Sequence, residues 1–215
     1  MAKYTYPAVF EKEQEGGYSN YIDEINNYTP KNEQEAQDKK VMLDCIKQFP
    51  SSILSRENET VHITSSGFIL NHTADKALMV HHNLFNTWVW PGGHADGNGN
   101  LLEVAIKEVL EETGITVKPL SNKIASIDIF TPAGHVRRGS YVKSHTHLNV
   151  AYIFIADENE KLTVQPDENT AVGWIPIEQI NEDSFASKDV YLYTKLLQQA
   201  KVWFQAKEGD YGNVI

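Results

Sequence analysis

The sequence predicts an α/β fold, and two observations carry that prediction. Strand-length runs rich in apolar and β-branched residues recur along the chain: Val61 to Leu70, Lys76 to His82, Lys123 to Phe130, Val150 to Ala156 and Val172 to Ile177. Segments with helical spacing lie before, between and after them, at residues 33–49, 101–113 and 187–204.

Composition bounds the function. A chain of 215 residues allows one ordinary domain plus an extension, enough to bury roughly 70 % of the unfolded surface. The formal net charge of −10 and the pI near 5.2 argue against a nucleic-acid polymer as partner, which would call for a basic stripe. A single cysteine, Cys45, precludes an internal disulfide and fits a reducing, cytoplasmic setting. It lies beside Met42 and Ile46 in a helical stretch, the place of a buried structural thiol. The N-terminus lacks a signal-peptide core. The longest apolar run, Val150 to Ala156, is far too short to span a membrane.

Residues 4–23 read as a hairpin: Tyr6, Ala8 and Phe10 alternate, Glu15-Gly16-Gly17 offers the turn, and Tyr18 to Ile22 returns. Such a piece suits a structural arm or a contact in a homodimer. Thr29-Pro30 marks a boundary. A helix follows over 33–49, with Asn32 and Glu35 at capping-box spacing, Met42, Ile46 and Phe49 on its apolar side, and Pro50 ending it. The main domain is expected over 56–206, after an extension of residues 1–55 and before a frayed tail at 207–215.

The first two strands are separated by the turn-forming stretch Asn71 to Asp75. Trp88 and Trp90 alternate just before Pro91; Trp88 is placed to stack a base or to pack a loop. Gly92 and Gly93 allow the backbone to approach a metal or phosphate, although no Gly-Lys-Ser/Thr follows, so this is not a nucleotide P-loop.

The stretch from 91 to 115 is the most informative. It is a glycine-rich loop feeding a short helix, with Asn100 as N-cap, Glu103 three residues on and Gly114 as the left-handed stop. Leu102, Ala105, Ile106, Val109 and Leu110 recur at helical spacing and are expected to form the buried side. Glu108, Glu111 and Glu112 stand at i, i+3 and i+4 and share the other face. Like charges at that spacing repel by roughly 0.2–0.5 kcal/mol per pair, and the helix dipole disfavours anions in the last turns. A solvated charged face can tolerate this, but clustered carboxylates suit a hard cation, Mg²⁺ or Mn²⁺, that shares its shell with substrate phosphates.

These residues resemble a Nudix box, G-x5-E-x7-R-E-U-x-E-E-x-G-U, with U a bulky aliphatic. Gly93, Glu108, Val109, Glu111, Glu112, Gly114 and Ile115 match in register. The first Glu of the pattern falls on Gly99 and the Arg on Lys107. The resemblance therefore implies a changed supporting pair, with Asp96 or Asp128 as substitutes. It also implies a mixed sheet in an α/β/α sandwich, Mg²⁺ or Mn²⁺ held by Glu108, Glu111 and Glu112, and the carbonyl of Gly92 as a further ligand.

Beyond the box, the segment Thr131 to Ser144 carries His135, Arg137, Arg138 and Lys143. In so acidic a chain, Arg137 and Arg138 are candidates to meet phosphate. His145 and His147 stand at i and i+2, on one side of a strand. They can bind metal or touch substrate, but no third and fourth ligand is visible in the sequence. Gly-Gly-His-Ala-Asp-Gly at the box and His-x-His-Leu-Asn here resemble a bacterial Nudix subgroup. Glu168 stands six positions before Trp174; in MutT-like members a Glu so placed completes the metal shell or helps activate water. Ile177 to Ile180 starts a short helix, and 187–204 closes the fold.

The resemblance thus implies a Nudix hydrolase that cleaves a phosphoanhydride in a nucleoside diphosphate linked to another moiety. Glu111 and Glu112 would serve the chemistry, and Glu112 or Glu168 would take the proton from the attacking water. The alternative is a catalytically weak ligand-binding or regulatory module of the same fold, on the strength of Gly99 and Lys107. An isomerase of the isopentenyl diphosphate type relies on a cysteine near the glycine loop, and Cys45 is remote from it.

Overall fold

A computed structural model describes residues 21–137 and 139–211. The expected hairpin at 4–23 therefore lies largely outside the described residues. Its last three residues are not a strand: they open the helix α1 (Tyr21–Asn27). The second helix, α2 (Glu33–Gln48), starts as expected, with Asn32 Oδ1 accepting from the backbone N–H of Glu35 at 2.9 Å.

The centre of the molecule is a mixed sheet. Strands β1 (Val61–Asn71) and β9 (Thr146–Ala156) run parallel side by side. The other pairings are antiparallel: β2 (Lys76–His82) on β1, β10 (Asn169–Pro176) on β2, and β5 (Lys118–Pro119) and β6 (Ser126–Phe130) on β9. Two three-residue strands complete the sheet. β3 (Thr87–Val89) pairs with β2, and β4 (Gly92–His94) pairs with β1. The basic segment between β6 and β9 contains a small separate hairpin, β7 (His135–Arg137) and β8 (Ser140–Val142).

The side-chain period of two sorts β1 and β9 onto two faces. Val61, Ile63 and Ile69 of β1 join Leu148, Val150, Tyr152 and Phe154 of β9 in one core, against α1, α2 and α3 (Leu101–Thr113). Phe68, Leu70, Ala151 and Ile153 join the other core, against α4 (Ser187–Tyr211). The result is helix, sheet, helix, the expected three layers. Toward the N-terminal ends of β1 and β9 the second face is polar instead: His62, Thr64 and Ser66 of β1 and His147 and Asn149 of β9 occupy it and line a groove.

Two details depart from the sequence reading. Helix α4 runs to Tyr211, past the expected end at 204. In α3 the buried stripe is Leu101, Val104, Ala105, Val109, Glu112 and Thr113, while Leu110 is exposed. Helix packing thus turns α3 so that a glutamate lies in line with its apolar residues.

The N-terminal helices are welded to the rest by a buried ionic network. Lys195 of α4 lies 2.6 Å from Asp128 of β6 and 3.1 Å from Glu35 of α2. Glu35 also accepts from the Tyr28 hydroxyl at 2.7 Å and the Lys31 N–H at 2.8 Å. Asp128 is therefore committed to the far side of the sheet and does not substitute in the glycine loop. Among the described residues, no helix is long and apolar enough to cross a membrane.

Candidate active site

The three glutamates of α3 stand in three different environments. Glu112 is 3 % exposed, and its Oε1 accepts the backbone N–H of Gly92 at 2.8 Å. Glu108 is mostly covered, and Glu111 is open to solvent. The cover of Glu108 is backbone: its carboxylate lies directly on the Cα of Gly93, and any Cβ there would collide with it. The two glycines of β4 thus receive two carboxylates from the helix.

Burial pushes the Glu112 carboxyl up to about 8, against the Gly92 hydrogen bond, with Glu168, Glu108 and Glu111 adding to the rise. Glu108 is raised for the same first reason, partly offset by Lys107, with Glu111 and Glu168 contributing. Glu168, from the loop before β10, therefore belongs to the same electrostatic cluster as the box glutamates. Four acids thus line one groove and share one electrostatic field, and their mutual effect is repulsive. Such a set fits a hard divalent cation with oxygen ligands.

Lys107, at the box position of Arg, reaches two of them: its Nζ is 3.4 Å from Glu108 Oε1 and 3.1 Å from Glu111 Oε2. Asp96 makes a different pair. It is held by Arg56, Nε to Oδ1 at 2.7 Å, with a second contact from Nη2 to Oδ2. The Arg56 charge is also felt by Glu108 and Glu168. Beside Gly99 lies Tyr21 of α1, which a Cβ there would meet at 3.4 Å, in ordinary contact. Lys107 thus pairs with two of the box glutamates, and Asp96 is engaged by Arg56.

The groove in front of these residues has a volume of about 1610 Å³. Phe85, Trp90, Phe130 and Tyr141 line it, and Phe85 and Tyr141 are exposed large aromatics. Trp88 does not line it. Alternation along β3 turns Thr87 and Val89 toward the groove and Trp88 to the opposite face, where it packs near Gly173 and edge-on to His81. The expectation that Trp88 stacks a base is corrected accordingly. Arg138 lies outside the described residues, as does the side chain of Arg137. Asn149 Oδ1 accepts from Thr64 and Ser66 at 3.0 and 2.9 Å; its buried Nδ2 has no hydrogen-bond partner among the described residues.

His145 and His147 do not stand alone. The parallel register sets His62 beside His147, and β4 brings His94 opposite Thr64. Ligand-capable atoms of His62, His94, His145 and His147 all lie within 4.8 Å of one another. Burial lowers the His94 and His147 imidazoles to about 2 and about 3, with neighbouring histidines adding to the effect. The third and fourth histidines carry no local signal. His62 is isolated in an apolar strand, and His94 reads as part of the glycine loop.

A profile of the NUDIX domain matches residues 61–196. No curated protein matches. Solved structures of similar shape include an Ap4A hydrolase from C. elegans, 15 % identical, covering 67 % of this chain and 98 % of that one with a TM-score of 0.45. A MutT protein from Bacillus halodurans is 22 % identical, covering 63 % and 81 %, with a TM-score of 0.40. A NUDIX family hydrolase from Clostridium perfringens is 22 % identical, covering 64 % and 96 %, with a TM-score of 0.45.

Proposed function

The chain belongs to the NUDIX domain family, a family of pyrophosphohydrolases, and we propose that it cleaves a phosphoanhydride in a nucleoside diphosphate linked to another moiety. The observation that carries the proposal is that Glu108, Glu111, Glu112 and Glu168 line one groove and share one electrostatic field, with Glu112 buried and lacking a cationic partner in its contacts. Glu108, Glu111 and Glu112, with the Gly92 carbonyl, would hold Mg²⁺ or Mn²⁺. When bound, such an ion neutralises charge on the phosphates and acidifies water.

The chain's own residues do the rest. Gly92 N–H and the bare Cα of Gly93 fix two carboxylates against β4. Lys107 orients Glu108 and Glu111 from the rim. Glu112 or Glu168 accepts the proton of the attacking water. Phe85 and Tyr141 supply faces on which a base can stack. The groove exceeds the roughly 300–1,000 Å³ of ordinary small-ligand pockets, in keeping with a substrate that carries a group on each side of its diphosphate. The Gly92–Gly97 and His145–Asn149 motifs support placement in the bacterial subgroup.

Phosphate release from a panel of nucleotides and nucleoside diphosphate conjugates, coupled to a phosphatase and run with and without Mg²⁺ or Mn²⁺, tests the proposal. Metal-dependent turnover of at least one conjugate, abolished by Glu112→Gln, is expected. The second reading, a binding module with little chemistry, draws on Lys107, whose ammonium already bridges two of the carboxylates. Tight nucleotide binding without metal-dependent turnover would favour it over hydrolysis.

A further inference from the structure

The four-histidine cluster is separate chemistry from the carboxylates, and we propose that His62, His94, His145 and His147 form a site for a late first-row divalent transition ion, Zn²⁺ foremost. These residues are far apart in sequence, and the sheet leaves them little choice of position. His62 and His147 are register partners on parallel strands. His94 comes from β4 on the other side of β1, and His145 precedes β9 by one residue. Three chain segments thus point imidazoles into one volume.

Tautomers are fixed from outside the cluster. His62 Nδ1 meets the carbonyl of Asn58 at 3.0 Å, and His145 Nδ1 meets the carbonyl of Lys143 at 2.8 Å. A carbonyl only accepts, so each Nδ1 carries the proton and each Nε2 presents a lone pair inward. Backbone carbonyls on the outer nitrogen are the usual way a metal-ligating histidine is held. The His62 Nε2 so aimed is buried and has no hydrogen-bond partner among the described residues. His145 Nε2 and His147 Nε2 lie 2.8 Å apart. At that distance His147 Nε2–H can donate to the His145 lone pair, whereas the buried His62 lone pair is left for a cation.

The donor set selects the cation. Imidazole nitrogen suits Zn²⁺, Cu²⁺, Ni²⁺ and Fe²⁺, whereas Mg²⁺ and Ca²⁺ require oxygen. Zn–N bonds of about 2.0–2.1 Å put tetrahedral ligand atoms roughly 3.3 Å apart. The present spread, within 4.8 Å, closes to that by small rotations of the rings. No carboxylate belongs to the set, so the hard ion expected at the glutamates is a poor competitor.

The ion would hold β4 against β1 and β9. Gly92 and Gly93, which receive Glu112 and Glu108, immediately precede His94, so the histidine ion positions the strand on which the acidic site leans.

Tag-free protein, stripped with chelator, is titrated with Zn²⁺ alone in excess Mg²⁺, and bound metal is counted by elemental analysis after gel filtration. One zinc per chain is expected, and circular dichroism verifies folding of every variant. His62→Ala with His147→Ala should weaken Zn²⁺ binding by at least about 100-fold, beyond the 10–100-fold lost with an outer hydrogen bond. Glu111→Gln should leave the zinc count unchanged while it impairs hydrolysis, so failure of the zinc site and failure of the hydrolase reading give different results. Co²⁺ loading of the unmodified protein gives a second readout if the histidine variants misfold: visible absorption of a nitrogen-ligated tetrahedral ion, removed by added Zn²⁺. Zinc binding equal in wild type and folded double variant, or a wild-type chain that retains no zinc and shows no cobalt spectrum, would overturn the proposal.

Discussion

Glu112 and Asp128 are both buried acids whose carboxyls are raised by burial, yet they stand for opposite designs. Asp128 has the Lys195 ammonium at 2.6 Å and the Ser126 hydroxyl in contact, and Lys195 also serves Glu35. Burial pushes the Asp128 carboxyl up, and Lys195 pulls it back. Glu112 has one backbone N–H and three other acids in its field. The first is a closed account of charge, fit to join α2 and α4 across the sheet. The second has no cation in its contacts, so it is held neutral below about pH 8 and invites a cation once ionised. Buried charge marks a site when its compensation is missing, not merely because it is buried.

The largest effect is expected at Lys195. Lys195→Met leaves two buried acids with only the Lys31 ammonium in their field and is expected to destabilise the protein by about 3–5 kcal/mol, read by denaturant unfolding, with the residual activity per folded molecule intact. A loss under about 1 kcal/mol would mean that water reaches and screens the network.

At the open site the effect should fall on turnover instead. Glu112→Gln keeps the shape and the Gly92 contact but removes the charge, and metal-dependent hydrolysis should drop at least about 100-fold. The metal-free variant should be no less stable than the parent. Unchanged turnover, or a large loss of stability, would reverse the roles assigned to the two acids.

Proton linkage sharpens the same contrast. Glu112 is raised from 4.5 to about 8 in the fold. The stability tied to its neutral form is complete below pH 4.5 and is lost as pH rises through about 8. In metal-free protein, the melting temperature of Glu112→Gln relative to the parent should therefore increase from pH 5 to pH 8. Added Mg²⁺ should raise the parent's melting temperature more at pH 8 than at pH 6. The histidines act in the opposite sense: lowered from 6.5 to about 2 and about 3 at His94 and His147, they withdraw stability as pH falls below 6.5. A flat difference curve between parent and Glu112→Gln would refute the assignment.

The smallest effect is expected at Lys107. It is largely exposed, and its pairs with Glu108 and Glu111 are worth under about 0.5 kcal/mol each. Lys107→Ala should leave the melting temperature nearly unchanged while raising the Mg²⁺ concentration needed for half-maximal rate. If that concentration falls instead, Lys107 competes with metal for the carboxylates, and the binding-module reading gains ground.

Much of this was legible in the sequence because it is local. Asn100, Glu103 and Gly114 bound α3, and the spacing of Glu108, Glu111 and Glu112 gives their shared helix without any tertiary knowledge. Long-range geometry was not legible. Nothing local distinguishes Trp88 from Trp90, two apart in sequence; Trp90 lines the groove because the chain has left β3 at Val89, where the alternation that turns Trp88 away ends. Asp96 and Asp128 were equal candidates until Arg56 and Lys195 claimed one each. His62 acquires meaning only through the parallel register with β9, which joins segments more than eighty residues apart. Tyr21, read as part of a hairpin, proves to open α1 and to lie beside Gly99.

β4 is three residues long, and each touches something different: Gly92 the Glu112 carboxylate, Gly93 the Glu108 carboxylate, His94 the histidine cluster. A strand so short has no slack with which to isolate one end from the other. If both clusters hold ions, the affinity of each becomes a function of the other's occupancy, and equilibrium requires the factor to be the same in both directions.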